Sequence, residues 1–131
     1  MTNTEAAEIA DAAYAALIHG LNTGQWDPFL YFLAEEVDVV WPTPPMAGHF
    51  EGREGSATLK EIVSHLGRPE TYRLDHFTPI ARIVSGDDVI YEDISVGTVQ
   101  GGSTYTTRGS VRLSIRDGKI AAFHEYNFAV S

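Results

Sequence analysis

The C-terminal half of the chain is a train of four long strand-like segments separated only by turn signals, and no other feature limits the fold as much. Residues 74–84 lead into Ser85-Gly86-Asp87-Asp88, residues 89–99 into Gln100-Gly101-Gly102, and residues 103–115 into Asp117-Gly118, before residues 120–130 close the series. Asp-Gly between two apolar runs is a strong two-residue hairpin signal, since both positions tolerate positive φ. Strands this long, joined by turns this short, run antiparallel, because a parallel pair needs a crossover of a dozen or more residues.

The residues ahead of them read as helices. Thr2 and Glu5 fit a capping box, and acids at 5, 8 and 11 suit a helix N-terminus. Ile9, Ala13, Ala16, Leu17 and Leu21 recur at helical spacing until Asn22-Thr23-Gly24 stops the run. Asp27-Pro28 begins a short second helix, predicted to reach about Ala34. Val37, Val39 and Trp41 alternate with Asp38 and Val40 in a strand that Pro42, Pro44 and Pro45 end. Residues 42–52 read as a loop carrying Met46, His49 and Phe50; Leu59, Ile62, Val63 and Leu66 then share a face of a third helix, stopped by Gly67-Arg68-Pro69.

Helices followed by a meander is the α+β pattern. Three short helices cover four or more long strands only if the sheet curls round them. The expected architecture is therefore a half-open cone, a curved antiparallel sheet wrapped around N-terminal helices, whose mouth suits a small ligand. With 131 residues and no repeat, linker or low-complexity tract, one domain spanning 1–131 is expected. A domain of that size buries roughly two-thirds of its unfolded surface.

Charge narrows the partners. Residues 1–52 hold eight acids and no Lys or Arg, whereas the remainder holds ten acids and nine bases, for a net charge of −9. No basic run exists to neutralise phosphates or anionic lipid, so neither nucleic acid nor a membrane is expected as partner. Cysteine is absent, which removes disulfides, thiolate nucleophiles and cysteine metal sites. No apolar run approaches a membrane span, and the N-terminus lacks a basic leader, so the chain reads as a soluble cytoplasmic protein. No P-loop, GxGxxG, HExxH or GxSxG pattern occurs, and Glu61 with His65 offers too few ligands for a metal. No cofactor and no metal are expected.

The runs WDPFLYFLAEEVDVVWPTPPMAGHFEGREG, VIYEDISVGT and RDGKIAAFHEYN, in this order, resemble the SnoaL-like branch of the NTF2-like superfamily over residues 6–128. Its relatives include polyketide cyclases, ketosteroid isomerases, limonene-epoxide hydrolases and phenazine-biosynthesis proteins. The resemblance implies a cone-shaped, cystatin-like α+β fold, frequently a homodimer through the outer sheet surface. In several of these relatives an acid in the last strand, just before an aromatic residue, does acid–base work. Glu125 before Tyr126 occupies that position. The hydrolases also keep a Glu followed by an Arg and an Asp on a middle strand. Here Glu92 fits, but Asp93 and Ser95 stand at the other two positions. Val39 and Trp41 stand where the hydrolases have Tyr and Asn, and Trp41 also stands where ketosteroid isomerases keep their base. His76 falls where some dehydratases of the superfamily keep a catalytic His.

Alternation places Phe123, Glu125 and Asn127 on one face of the last strand and His124, Tyr126 and Phe128 on the other. Period alone leaves open which face is the cavity; the resemblance favours the Glu125 face, and with it Asp93, which shares a face with Tyr91 and Ser95. A carboxylate among apolar residues has a raised pKa, and two of them in one pocket do not both ionise cheaply, so Glu125 and Asp93 are the candidate acid–base pair. The plainer alternatives are an exposed Glu125 paired with Arg112 or Arg116, and an Asp93 solvated at the mouth. Tyr14, Trp41, Met46, Phe50, His76, Tyr91, Phe123 and Asn127 are the candidate substrate-binding residues, with core packing or a rim position as the alternative for the apolar and aromatic ones. The expected function is acid–base chemistry on a small apolar molecule, of isomerase, cyclase, dehydratase or epoxide-hydrolase type. The runner-up is a non-catalytic ligand-binding or dimerisation module of the same fold.

Overall fold

The computed structural model describes residues 2–130. Helix α1 (Asn3–Thr23) starts as expected: the Thr2 hydroxyl accepts from the Glu5 N–H at 3.1 Å, and Gly24, in the left-handed region, ends it. A single turn, α2 (Asp27–Leu30), follows, then β1 (Leu33–Trp41), β2 (Gly48–Phe50) and α3 (Gly52–Ser64). The meander comprises β3 (Tyr72–Ser85), β4 (Asp88–Val99), β5 (Thr104–Arg116) and β6 (Lys119–Val130), with a short 3-10 turn at Gln100–Gly102. Asp117 and Gly118 both have positive φ, and Arg116 pairs with Lys119 across them, which is the geometry Asp-Gly was expected to supply.

The six strands form one curved, unclosed sheet in the order β2-β1-β6-β5-β4-β3. Bulges in β3, after Leu74 and after Pro79, and in β6 at Ala121 bend the meander and increase its twist. Pro79 is tolerated because β3 is an edge strand. The helices cover the concave face. On α1 the buried side is almost all alanine (Ala6, Ala10, Ala13), which lets the helix lie close over the sheet, with Tyr14 and Leu17 reaching inward. Helix α3 rests on β1 at Gly55, where a Cβ would come within 1.8 Å of the Val37 carbonyl oxygen. Phe29, Val37, Val39, Leu59, Leu113, Ile120 and Phe123 are fully buried. Each such side chain contributes about 1.5–3 kcal/mol by leaving water.

Three local expectations are corrected. The second helix ends four residues short of Ala34, because Leu33 already pairs with Ile120 and the Phe32 carbonyl accepts from the Ile120 N–H at 2.7 Å. Part of the expected 42–52 loop is the edge strand β2, with His49 opposite Val40 and Phe50 opposite Val39. The sheet is not wholly antiparallel either: β1 runs parallel to β6, an arrangement allowed because everything from β2 to β5 serves as the crossover.

Candidate active site

Strand alternation on β4, β5 and β6 builds the floor of a cavity of about 820 Å³ inside the cone. The register places Tyr91 opposite Val111 and Val111 opposite Glu125, then Asp93 opposite Gly109 and Gly109 opposite Asn127. Glu125 and Asp93 are thus diagonal neighbours across β5, facing the same cavity, and Gly109 leaves the space between them open. Leu17, Ile18 and Leu21 of α1, Ile62 and Val63 of α3, and Trp41 of β1 make the apolar walls. Among the described residues, no Lys or Arg lines the cavity.

The two carboxyls are held differently. The Tyr14 hydroxyl donates to Asp93 Oδ2 at 2.5 Å, a short charge-assisted hydrogen bond. Burial raises the Asp93 pKa and the Tyr14 bond opposes the rise. Glu125 is pushed up to about 8, first by burial and then by the neighbouring Asp93 charge, while the Asn127 amide, donating to Oε2 at 3.1 Å, only partly offsets this. Tyr14 is raised by burial and by the Asp93 carboxylate it serves, so it remains a donor.

Tyr14 is itself supported from behind. Its ring stacks on Tyr91, centroids 3.9 Å apart and planes 6° from parallel, and meets Phe77 edge-on. The Tyr91 hydroxyl donates to Asp11 Oδ1 at 2.7 Å, and Arg82 grips both Asp11 oxygens at 2.9 Å. Burial alone would raise the Asp11 pKa, but the bonds from Arg82 and Tyr91 hold it low, so this clamp between α1 and β3 stays charged.

Of the sequence-predicted residues, Tyr14, Trp41, Met46, Asp93, Glu125 and Asn127 line the cavity together. Four do not. Phe123 is fully buried between Trp41 and Phe29, so it forms the wall behind Trp41 rather than the surface. Tyr91 is likewise covered, by Tyr14. Phe50 packs against the core from the edge strand β2, one strand beyond the wall. His76 points away from the cavity: the bulge after Leu74 sets it opposite Val96, while Leu74 and Phe77 take the inward positions.

Sequence reasoning missed Tyr72, Ser95 and Thr107, which add polar groups to the lining. A signal for Tyr72 existed. Gly97 lies inside a strand, which marks a close approach, and a Cβ there would come within 2.2 Å of the Tyr72 ring. The Tyr14–Asp93 bond joins residues 79 positions apart and had no local signature.

Residues 14–123 match the family model of the SnoaL-like domain, and the chain belongs to that family. Among solved structures, an NTF2-like protein from Anabaena variabilis is similar at 22% identity with a TM-score of 0.79, covering 97% of this chain and 90% of that one. Delta 5-3-ketosteroid isomerase from Mycobacterium sp. is similar at 20% identity and a TM-score of 0.70, over 93% of this chain and 98% of that one. An NTF2-like protein from Burkholderia xenovorans follows the fold at 21% identity and a TM-score of 0.72, over 98% and 92%. No curated protein matches the sequence. Among the described residues, no helix is long and apolar enough to cross a membrane.

Proposed function

We propose that the protein is an enzyme of isomerase type that moves a proton within a small, neutral, largely apolar substrate, with Asp93 as general base, Glu125 as general acid and no cofactor. The observation that carries this reading is a pair of neighbouring carboxyls held differently: burial and the Asp93 charge push Glu125 up to about 8, so it keeps its proton at neutral pH, while burial also raises Asp93 but the short bond from the Tyr14 hydroxyl opposes that rise and favours its ionised form. In a β,γ-unsaturated ketone, Asp93 takes the proton between carbonyl and alkene as Glu125 gives its own to the carbonyl oxygen, forming a dienol. Asp93 then returns its proton to the γ-carbon and Glu125 recovers the hydroxyl proton, leaving the conjugated ketone and the starting enzyme. Positioned acid–base help of this kind contributes about 10²–10⁴ in rate. The cationless lining favours a neutral substrate, and the ketosteroid isomerase among the structural neighbours is consistent with the reaction type.

The test is a panel of β,γ-unsaturated ketones followed by the ultraviolet absorbance of the conjugated product. Wild-type protein is expected to turn over at least one member; Glu125→Gln is expected to lose at least tenfold without losing thermal stability. A fully active Glu125→Gln removes Glu125 from the mechanism. The ligand-binding reading draws on Val39 and Trp41, apolar at positions where the resemblance implies polar groups. It gains if the ketones bind with no turnover and with equal affinity in both proteins.

A further inference from the structure

The opposite face of the sheet carries a second cluster, unconnected with the cavity. Asp38 and Val40 alternate outward on β1; His49 on β2 and His124 on β6 flank Val40 from either side, and Glu51 follows the end of β2. His124 Nε2 lies 2.6 Å from Asp38 Oδ2, and its side chain is only 13% exposed, so it fixes the carboxylate from the protein side. The other oxygen, Oδ1, lies 2.8 Å from His49 Nε2, and Glu51 Oε1 lies 3.8 Å from that same nitrogen. Glu51 is the N-cap residue of α3, yet its side chain makes no capping hydrogen bond, leaving its carboxylate free to face His49.

The geometry points to a divalent transition-metal site formed by Asp38, His49 and Glu51, with His124 as the residue that orients Asp38. Imidazole and carboxylate oxygen form the donor set of zinc and its first-row neighbours. The three ligand atoms lie within 4.8 Å of one another. Bonds of about 2.0–2.1 Å in a tetrahedron set ligand atoms about 3.3 Å apart. The 2.8 Å and 3.8 Å separations at His49 bracket that figure and need changes of about half an ångström each, while the Asp38 and Glu51 oxygens, within 4.8 Å of one another, close on the ion. Three protein ligands leave a position for water, and a hydrogen-bonded partner behind a ligating carboxylate is the usual outer-shell support.

Calorimetric titration of the tag-free chain with Zn²⁺, and the visible d–d absorption of Co²⁺ as a second probe, test this. One ion per chain is expected, with affinity lowered at least tenfold in His49→Gln and in Asp38→Asn and weakened less in His124→Gln. The exposed His65–Glu61 pair is the control, so His65→Gln is expected to bind as wild type does. Because His49 is exposed, His49→Gln keeps the test valid even if Asp38→Asn folds poorly. No saturable binding at millimolar metal overturns the proposal, as does binding that survives His49→Gln. Neither outcome touches the isomerase reading, which rests on the other face of the sheet.

Discussion

Replacing Glu125 with glutamine should make the protein more stable as the pH rises, although it removes the proposed general acid. The native carboxyl keeps its proton up to about 8 against an ordinary value of 4.5. Between those values the native state binds a proton that the unfolded chain has released. Stability from this group is therefore intact below the lower value and lost progressively as pH climbs towards the upper one. At about 1.36 kcal/mol per unit, the full loss is about 5 kcal/mol, of which about 3–4 kcal/mol falls between about pH 5 and about pH 8. Glutamine has the same shape and no charge to desolvate, so Glu125→Gln escapes the loss. Any cost of its amide against Asn127 is the same at every pH.

For a domain of this size 1 kcal/mol moves Tm by about 3–5 °C. The Tm advantage of Glu125→Gln over wild type should therefore widen by about 14 °C from about pH 5 to about pH 8. Thermal melts of both proteins in matched buffers measure this with no substrate. Parallel Tm profiles would refute the reasoning, because they would mean that Glu125 ionises at its ordinary pH and is open to water.

Tyr14→Phe keeps the stack on Tyr91 but removes the donor to Asp93, so it should cost about 1.5–3 kcal/mol by denaturant unfolding and move the acidic limb of the pH–rate profile upward. Gly97→Ala should drive the Tyr72 ring into the cavity and weaken ligand binding, measured by calorimetry, more than it lowers Tm. Tyr126, Phe128 and Val130 form an exposed apolar stripe on the outer face of β6; light scattering should find a homodimer that Phe128→Lys shifts towards monomer.

The meander was legible because its turns were chemically explicit: Asp117-Gly118 demands positive φ, and the hairpin formed where it stood. The β1–β6 pairing was not, since two strands separated by most of the chain share no turn to fix their direction, and only burial of Val37, Val39 and Phe123 on one face selects it. At the site, alternation put Glu125 with Asn127 and Asp93 with Ser95, the resemblance chose those faces as the inner ones, and Glu125, Asn127 and Asp93 all line the cavity. His76 failed for a reason alternation does not see. The bulged residue Asp75 reverses the parity of β3 as far as the second bulge after Pro79, so the position that the resemblance to dehydratases offered for a catalytic His turns outward.

The same one-residue parity decides what each acid on the inner strands is for. Asp38 and Glu125 stand on paired strands, β1 and β6, but on opposite faces. Outward, Asp38 meets two imidazoles; burial alone would raise its pKa, but the bonds from His49 and His124 hold it below the usual carboxylate range. Inward, Glu125 meets apolar walls and another carboxyl, and its proton stays on past neutrality. One acid is kept as an anion fit for cations, the other as an acid fit for donating. A one-residue slip of β1 would turn Asp38 into the cavity away from its imidazoles, and a one-residue slip of β6 would turn Glu125 out into solvent. The proposed chemistry on both faces therefore depends on the register of β1 against β6, which the buried pair Val39 and Phe123 holds in place.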